Sequence, residues 1–405
     1  MSKTIKSEKQ ALVPRLRFPE FQNAGEWNIE VVKSLITTVT PPKKLTSDQY
    51  ENEGRFPVID QSQDYICGWT NDENALVLVE SPLIVFGDHT CVLKIIFQSF
   101  VQGADGIKIL KSRGEVDPGF LYQCLLSSPV KMESYKRHFS TLKEKVIVYP
   151  DKKIGEQQKI ADCFSSLDAL IAAQADKIDA LKTHKKGLMQ QLFPREGETV
   201  PRLRFPEFRG AGEWKEEAIS EIGEVVTGST PSTTDKSLYG GDVMFVSPAD
   251  ISHQCFVTRT AKTLTDKGLS KARVIPARST LFVCIGSTIG KIAQNQYECA
   301  TNQQINSVIP FNKFLNDFVY YALELASERI AEMAGKQAVP IINKSLFSSI
   351  LLKVPADKGE QQAVADCLSS LDALILAHTE KLDGLKTHKK GLMQQLFPIF
   401  EGMVS

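Results

Sequence analysis

The sequence has no C-x-x-C pair, although it contains eight cysteines in 405 residues. Each cysteine stands alone: Cys67, Cys91, Cys124, Cys163, Cys255, Cys284, Cys299 and Cys367. Closely paired cysteines are typical of structural zinc sites and of small disulfide-linked domains. We therefore expect reduced cysteines that serve in packing, in a cytoplasmic protein that binds no metal.

Long hydrophobic runs are missing as well. No apolar run reaches the ~18 residues that a membrane-spanning helix needs, and the opening MSKTIKSEKQ lacks the apolar core of a signal peptide. These absences predict a protein without membrane contact.

Net charge is also absent, because 48 Lys and Arg residues balance 48 Asp and Glu residues. Nucleic-acid-binding domains usually carry a basic excess, so this balance argues mildly against such a partner. A neutral total can still hide a basic face, so nucleic acid stays among the possible partners.

Motifs for catalysis are scarce. GSTIGKI, at Gly286–Ile292, is similar to a phosphate-binding loop, but only three residues separate its glycines and Ile292 occupies the magnesium-binding position. A strand-turn-strand is expected there. GDHT, at Gly87–Thr90, places Asp and His together without a nucleophile at a recognised spacing. Two interpretations stay open for it: a turn that positions His89, or a contact of His89 with a polar ligand.

Two stretches of the chain occur twice. Gly155–Pro194 and Gly359–Pro398 align without a gap and are identical at 31 of 40 positions. VPRLRFPEF occurs at Val13–Phe21 and again at Val200–Phe208, each time followed shortly by AGEW. We expect the two repeated parts to have the same function and the two unlike parts to contact two different targets. The alternative is a simple gene duplication followed by sequence drift. Drift alone would not preserve the repeated helices while it erased the similarity between the segments that separate them.

The repeats divide the chain into four segments: a first variable domain (1–150), a first helix (151–196), a second variable domain (197–354), and a second helix with the C-terminal tail (355–405). The variable domains show no alignable similarity to each other. Both mix β-branched runs such as SPLIVFGDHTCVLKIIF with helical stretches such as DPGFLYQCLLSS and LNDFVYYALELASERIAEMA. We therefore predict the α+β class for each.

The repeated helices have the apolar spacing of a coiled coil. The predicted seam is Ile160, Phe164, Leu167, Ile171, Ile178, Leu181, Leu188 and Leu192 in the first copy, and Val364, Leu368, Leu371, Ile375, Leu382, Leu385, Leu392 and Leu396 in the second. Polar residues interrupt it at Gln174 and Lys185, and at His378 and Lys389. Forty residues of helix extend roughly 60 Å.

Charge favours an antiparallel arrangement of these helices. Residues 151–180 contain six acidic residues and four lysines, whereas residues 181–194 contain three lysines and no acid. Antiparallel pairing places the acidic start of each helix against the basic end of the other. We predict two antiparallel helices within one chain, with pseudo-two-fold symmetry between the variable domains. The lysine pairs at 185–186 and 389–390 are expected on a solvated face, or in contact with phosphate or an acidic partner.

Loops rich in amide and hydroxyl groups supply the candidate binding residues. Asn and Gln can contact adenine bidentately, and Lys contacts guanine or phosphate, although such loops are more often plain surface. The candidates for DNA contact are Gln61, Gln63, His89, Lys108, Ser229, Thr230, Lys236, Tyr239, Lys291, Asn302, Gln303 and Gln304.

Taken together, these motifs resemble the specificity subunit of Type I restriction–modification systems. The resemblance rests on VPRLRFPEF...W at the start of each half, TGSTP...YGGDVMFVSPADI and GSTIGK...NQQINSVIP in the second domain, and GDHT...GADGIKIL in the first. GEQQ-I-A-C--SLDALI...L---KKGLMQQLF closes each half, and the order of these motifs covers nearly the whole chain.

The resemblance implies a function without catalysis by this chain. Each variable domain would be a target recognition domain that reads one half of a bipartite, asymmetric site in double-stranded DNA. The helices would dock two methyltransferase subunits, which bind adenosylmethionine and methylate adenine at N6. Two restriction subunits, which use ATP and Mg²⁺, would join the larger complex. No cofactor is expected on this chain.

Two other functions compete with this one. A coiled-coil scaffold with two ligand-binding domains would show no salt-dependent affinity for DNA. An autonomous DNA-cutting enzyme would need the catalytic motifs that the sequence lacks.

Overall fold

The computed structural model describes residues 12–104, 106–133, 136–252, 254–335 and 340–398. The chain divides into two compact units: unit 1 comprises residues 1–173 and 382–405, and unit 2 comprises residues 174–381. Both long helices belong partly to each unit, because the division falls near the middle of each. Within the described residues, no helix is long and apolar enough to cross a lipid bilayer.

The described residues of unit 1 form three sheets and three short helices. Its strands are β1 (Asn28–Val31), β2 (Ile36–Val39), β3 (Lys44–Leu45), β4 (Phe56–Ile59), β5 (Gly68–Thr70), β6 (Leu76–Val77), β7 (Leu83–Gly87), β8 (Leu93–Ile96), β9 (Phe100–Gly103), β10 (Ile107–Ser112) and β11 (Val146–Tyr149). Its short helices are α1 (Val32–Leu35), α2 (Pro118–Ser127) and α3 (Phe139–Glu144). The strand orders are β1-β11, β2-β10-β7-β8 and β3-β9-β4-β5, with β6 paired to β9.

The first long helix, α4 (Glu156–Leu192), leads from unit 1 into unit 2. The strands of unit 2 are β12 (Lys215–Ala218), β13 (Gly223–Thr227), β14 (Tyr239–Val246), β15 (Phe256–Val257), β16 (Thr263–Leu264), β17 (Val274–Ile275), β18 (Thr280–Val283), β19 (Ile292–Asn295), β20 (Cys299–Thr301), β21 (Ile305–Pro310) and β22 (Leu351–Val354). Its helices are α5 (Ile219–Ile222), α6 (Asp266–Leu269), α7 (Asn316–Glu332) and α8 (Lys344–Ser349), and the second long helix is α9 (Lys358–Leu396). The strand orders are β12-β22, β13-β21-β18-β19-β15 and β16-β14-β20-β17. Single 3-10 turns lie at Pro19–Phe21, Ser47–Gln49, Glu73–Ala75, Lys152–Ile154, Pro206–Phe208 and Lys236–Leu238.

The two units share one topology, although their variable segments show no alignable sequence. In unit 1, β2-β10-β7-β8 form an antiparallel sheet, and β13-β21-β18-β19 form its counterpart in unit 2. A second sheet of each unit has a parallel pair at its centre, β4 with β9 and β14 with β20, and in unit 1 β3 also pairs with β9 in parallel. The domains are therefore unlike in sequence and alike in fold, because many apolar side chains can fill one strand arrangement. The predicted α+β class is confirmed.

Local sequence explains where several elements begin and end. Asp117 accepts a hydrogen bond from the Phe120 backbone N–H, and Pro118 fills the first turn of α2. Gly155, with φ +81°, precedes α4, and Pro194 stands two residues after its end. The strand-turn-strand predicted for GSTIGKI is present as β18 and β19, and both predicted helices are present as α2 and α7.

Each unit has a core in which three aromatic rings meet. In unit 2, Phe193 lies 5.5 Å from both Trp214 and Phe318, measured between ring centroids. In unit 1, Phe120 lies 5.8 Å from Trp27 and 5.7 Å from Phe397. Phe193 and Phe397 are the equivalent phenylalanines of the repeated THKKGLMQQLFP. The identical helix ends therefore each complete a domain core.

The short repeated motif and the start of each long helix form a buried ion pair. Arg17 donates to both carboxylate oxygens of Glu156 in unit 1, at 2.7 and 2.6 Å. Backbone bonds also tie the repeated motif to the end of a long helix, since Leu16 N donates to Gln395 O and Leu203 N donates to Gln191 O. Part of the repetition in the sequence is therefore explained by folding.

The long helices run antiparallel within each unit, as predicted. In unit 2, Lys185 of α4 contacts Asp372 of α9 at 2.7 Å, and Gln174 contacts His378. In unit 1, Lys389 of α9 contacts Asp168 of α4 at 2.5 Å. The predicted seam positions are buried or half-buried. The buried ones are Ile160, Phe164, Ile178, Leu192, Val364, Leu368 and Leu396, and the half-buried ones are Leu167, Ile171, Leu181, Leu188, Leu371, Ile375, Leu382, Leu385 and Leu392.

Candidate nucleic-acid interface

In unit 1, two predicted binding residues meet at the carboxyl ends of the parallel strands. The loop after β4 carries Gln61, and the turn between β7 and β8 carries His89. Thr90 Oγ1 donates to the Gln61 carbonyl at 2.8 Å, and His89 N lies 3.4 Å from Gln61 Oε1. Asp88 N donates to Gly106 O at 2.6 Å, so the loop after β9 joins the same cluster.

The backbone at Gly106 makes room for the Gln61 side chain. Gly106 has φ +98°, a conformation that favours glycine, and a Cβ there would lie 2.8 Å from Gln61 Nε2. Gln61 is therefore held against the loop, whereas Gln63 on the same segment is exposed. Lys108 lies apart from them on β10, with its ammonium 5.7 Å from the centroid of the Phe139 ring.

A lysine holds the loop after β4 in unit 1 and the loop after β14 in unit 2. Lys94 Nζ donates to the carbonyl oxygen of Asp60 at 2.8 Å and also to that of Asp64. Lys291 Nζ contacts the carbonyl oxygens of Ile251 and Pro248 at 3.2 and 3.4 Å. The Lys291 ammonium, predicted to contact DNA, thus bonds within its own domain. Lys94 was missed, although both lysines follow the β7–β8 and β18–β19 turns.

In unit 2, the structure brings five predicted residues together. They lie on the loop after β13 and on the loop between β20 and β21, and they are Ser229, Thr230, Asn302, Gln303 and Gln304. Ser229 N donates to Thr301 O at 2.9 Å, and Gly228 N donates to Ile305 O at 3.0 Å. A Cβ on Gly228 would lie 2.1 Å from Asn302 O, so only glycine allows the two loops to approach this closely.

Arg273 belongs to this cluster, and sequence reasoning missed it. Its backbone N donates to Ser229 Oγ at 3.2 Å, and its Nη1 donates to Thr227 O at 2.6 Å. The side chain is exposed, so the same guanidinium can reach a phosphate. The basic run SKARVIPAR was the available signal, but its place beside the amide loop depends on the fold.

Lys236 and Tyr239 lie on a neighbouring segment. Tyr239 Oη donates to Pro231 O at 2.7 Å, which ties the long loop before β14 together. Lys236 is exposed and lines a cleft with Lys262, a second cation that the sequence did not single out. Two lysines on one open cleft are suited to contacts with a phosphate backbone.

Within unit 2, a charged network around the buried Lys185 joins α7 to α4 and α9. Lys185 Nζ contacts Glu324 at 2.9 Å and Asp372 at 2.7 Å, and Tyr321 Oη donates to Asp372 Oδ2 at 2.7 Å. Burial raises the pKa of Glu324 above its usual value, although Lys185 acts in the opposite direction. Lys185 therefore does not lie on a solvated face; its acidic partners come from its own chain.

The exposed neighbour Lys186 also contacts an acid of its own chain, Glu328, at 3.3 Å. Unit 1 has a simpler version of the network, because Lys389 contacts Asp168, which lies 3.5 Å from Gln123. For Lys185, Lys186 and Lys389, these contacts favour the predicted alternative in which the lysine binds an acidic group. That acidic group belongs to the same chain.

Comparison with known proteins finds a family model that matches part of this chain. Residues 211–387 match the family model for the Type I restriction modification DNA specificity domain. The chain is similar over that stretch to the DNA specificity domain of Type I restriction–modification systems. It is 32% identical over 195 residues to the specificity subunit of the Type I restriction enzyme HindI of Haemophilus influenzae, covering 47% of this chain and 41% of that protein. It is 29% identical over 169 residues to the MjaIX specificity subunit of Methanocaldococcus jannaschii, covering 40% and 39%. The matches thus span about two fifths of these curated relatives.

The specificity-subunit fold extends over nearly the whole chain. The S subunit of a Type I restriction–modification system from M. genitalium matches 96% of this chain and 100% of its own, with a TM-score of 0.69 and 17% identity. A second structure, from work on assembly and conformational transition of the Type I system, matches 92% of this chain and 97% of its own, with a TM-score of 0.52 and 12% identity. Since identity is this low, these likenesses concern the fold alone.

Proposed function

We propose that this chain is the DNA sequence-specificity subunit of a Type I restriction–modification complex. Each unit reads one half of a bipartite, asymmetric site in double-stranded DNA. The observation that carries the proposal is that two units of one topology present different side chains at equivalent loops. The turn between β7 and β8 carries His89, whereas the corresponding turn between β18 and β19 carries Gly286. The loop at Gly106 likewise corresponds to the amide-rich loop at Asn302–Gln304.

Two methyltransferase subunits are the proposed partners of the repeated segments. Three apolar residues of each repeat are exposed by 39% to 44%, and they occupy equivalent positions: Val13 and Val200, Leu16 and Leu203, Leu170 and Leu374. Exposed apolar side chains that recur in both copies support a surface that is presented twice to the same kind of partner. The proposed stoichiometry is two methyltransferase subunits and, in the larger complex, two restriction subunits.

The chemistry is proposed to belong to those partners. Adenosylmethionine, ATP and Mg²⁺ would bind to them, and adenine would be methylated at N6 after leaving the base stack. This chain would contribute recognition and no catalysis, in a cytoplasmic complex acting on cellular DNA. Neutral net charge is compatible with this role, because the partners can supply many of the phosphate contacts.

The deciding experiment is a map of modified bases in DNA from cells that express this chain with its methyltransferase subunit. Adenine methylation at a split motif, lost when this chain is omitted, is the expected result. An unchanged map despite an assembled complex would favour the coiled-coil scaffold with two ligand-binding domains. Measuring DNA affinity against salt concentration separates the two functions further, since a scaffold would show no such dependence.

A further inference from the structure

The three consecutive amides after β20 differ in what they bond to. Asn302 Nδ2 donates to Gln304 Oε1 at 3.0 Å, and Gln304 N donates to Asn302 Oδ1 at 3.1 Å. Gln304 Nε2 donates to Ile285 O at 3.2 Å. Asn302 and Gln304 are half-buried, so their amides hold the loop in shape.

Gln303, between them, is exposed, and its amide is oriented by one neighbour. Thr230 Oγ1 donates to Gln303 Oε1 at 2.6 Å, across the two loops that Gly228 allows to approach. Among the described residues, Gln303 Nε2 has no hydrogen-bond partner. The outward edge of this side chain is therefore a pair of N–H donors.

We propose that Gln303 is a base-reading residue of unit 2 and that Thr230 is its positioning residue. The inference rests on the proposed function and specifies the chemistry of its second half-site. A donor edge matches a base that presents acceptors in the major groove, namely guanine through O6 and N7 or thymine through O4. Adenine presents N7 as an acceptor, but its N6 amino group needs an acceptor, and Gln303 Oε1 is already engaged by Thr230. The amino group of cytosine likewise meets the donors of Gln303 unfavourably.

The experiment selects bound sequences from a DNA library randomised over the target, using the full chain in complex with its methyltransferase subunit. Wild-type protein is expected to require guanine or thymine at one position of one half-site. Gln303→Glu keeps the size of the side chain but replaces the donors with acceptors, so the preference at that position should move to cytosine or adenine. The expected change in discrimination is about tenfold or more, with the other half-site unchanged.

Thr230 is tested by two variants. Thr230→Val removes the hydroxyl, so the amide can turn and adenine should become tolerated at that one position. Thr230→Ser keeps the hydroxyl and should keep the wild-type preference.

Asn312→Asp is the control for the charge that Gln303→Glu introduces. It adds a negative charge on an exposed turn of the same unit and should leave the base preference at every position unchanged.

The outcomes separate the inference from the proposed function. A Gln303→Glu complex that binds and selects the wild-type sequence at every position would overturn the role of Gln303. Equal base preferences for the valine and serine variants would overturn the role of Thr230. Failure of the wild-type complex to select any split sequence would instead overturn the proposed function and, with it, this inference.

Discussion

Arg204 and Glu360 form a buried, bidentate ion pair in unit 2. The Nε–Oε1 distance is 2.7 Å and the Nη2–Oε2 distance is 2.8 Å. Trp214 Nε1 donates to the same carboxylate at 3.0 Å, and the guanidinium also donates to the carbonyl of Ala211. The pair joins the repeated VPRLRFPEF motif to the first turn of α9, and Arg17 with Glu156 does the same in unit 1.

Replacing Glu360 with Gln is expected to destabilise unit 2. The change leaves the Arg204 cation buried without a counter-charge, which costs about 3–5 kcal/mol for pairs of this kind. The free energy of unfolding in urea measures the effect. Glu198→Gln is the control, since Glu198 pairs with Arg202 at the surface and such pairs contribute under ~1 kcal/mol. Similar losses for the two variants would contradict the structural role of the buried pair.

Lys185→Met should destabilise unit 2 far more than Lys186→Met. The buried Lys185 neutralises the half-buried Glu324 and Asp372, whereas Lys186 pairs with the exposed Glu328. Breaking the buried network is expected to lower the free energy of unfolding by about 3 kcal/mol or more near neutral pH.

This loss should depend on pH. Burial already raises the pKa of Glu324, and removing Lys185 raises it further, so the folded state binds the proton more tightly than the unfolded state. Stability then falls as the pH rises above the usual value of 4.5. Unfolding curves at acidic and neutral pH measure this; a loss that is independent of pH would argue against charge as the cause.

Gly228→Ala is expected to impair recognition of one half-site. The new methyl group would lie 2.1 Å from Asn302 O and 2.3 Å from Thr301 Oγ1, so the loop carrying Gln303 must shift. Binding to DNA with single substitutions across the target measures the effect, and the half-site read by unit 1 should be unaffected. Gly210→Ala is the control, because nothing lies within 4 Å of its added methyl group. Equal losses at both half-sites would mean a general folding defect.

His378 is expected to make the helix pair sensitive to mild acid. Gln174 Nε2 lies 2.6 Å from His378 Nδ1, a geometry in which a neutral imidazole accepts the hydrogen bond. Burial lowers the pKa of His378, and Lys177 and Lys381 act in the same direction. Because the folded pKa is depressed, the stabilisation is present above the usual 6.5 and is lost as the pH falls through the folded pKa.

The measurement is the difference between wild type and His378→Gln in urea midpoint at pH 7.5 and 5.5. The wild type should lose more stability on acidification than the variant, whose side chain does not titrate. His388→Gln, at an exposed position near the end of α9, serves as the control. An equal response of wild type and His378→Gln would exclude this histidine as the source.

Periodicity and repetition predicted much of the fold. The heptad spacing from Ile160 to Leu192 placed the buried face of α4, because a helix has one geometry and its apolar stripe must be covered. Charge asymmetry predicted the antiparallel arrangement, and the contact of Lys185 with Asp372 agrees with it. For Lys185 the expected solvated face is wrong, and the structure shows the alternative, an acidic partner. Local sequence does not reveal that α7 supplies one of these partners, Glu324.

The candidate site was predicted by residue type and not by position. The sequence does not distinguish the amides of Asn302, Gln303 and Gln304. Of these three, only Gln303 is exposed, and its Nε2 has no hydrogen-bond partner among the described residues. The basic run SKARVIPAR was a weak signal for Arg273, but the sequence could not place it beside the amide loop, since 44 residues separate Arg273 from the Ser229 hydroxyl to which it bonds.

The sequence by itself determined the repeated helices, their antiparallel pairing and the class of the domains, because these follow from periodicity, charge and local propensity. Tertiary structure alone decided that the two variable segments share a topology, that Phe193 and Phe397 complete the cores, and which amides point outward. Such features depend on which distant side chains meet. Contacts between residues far apart in the chain are set by packing, to which many different sequences offer solutions.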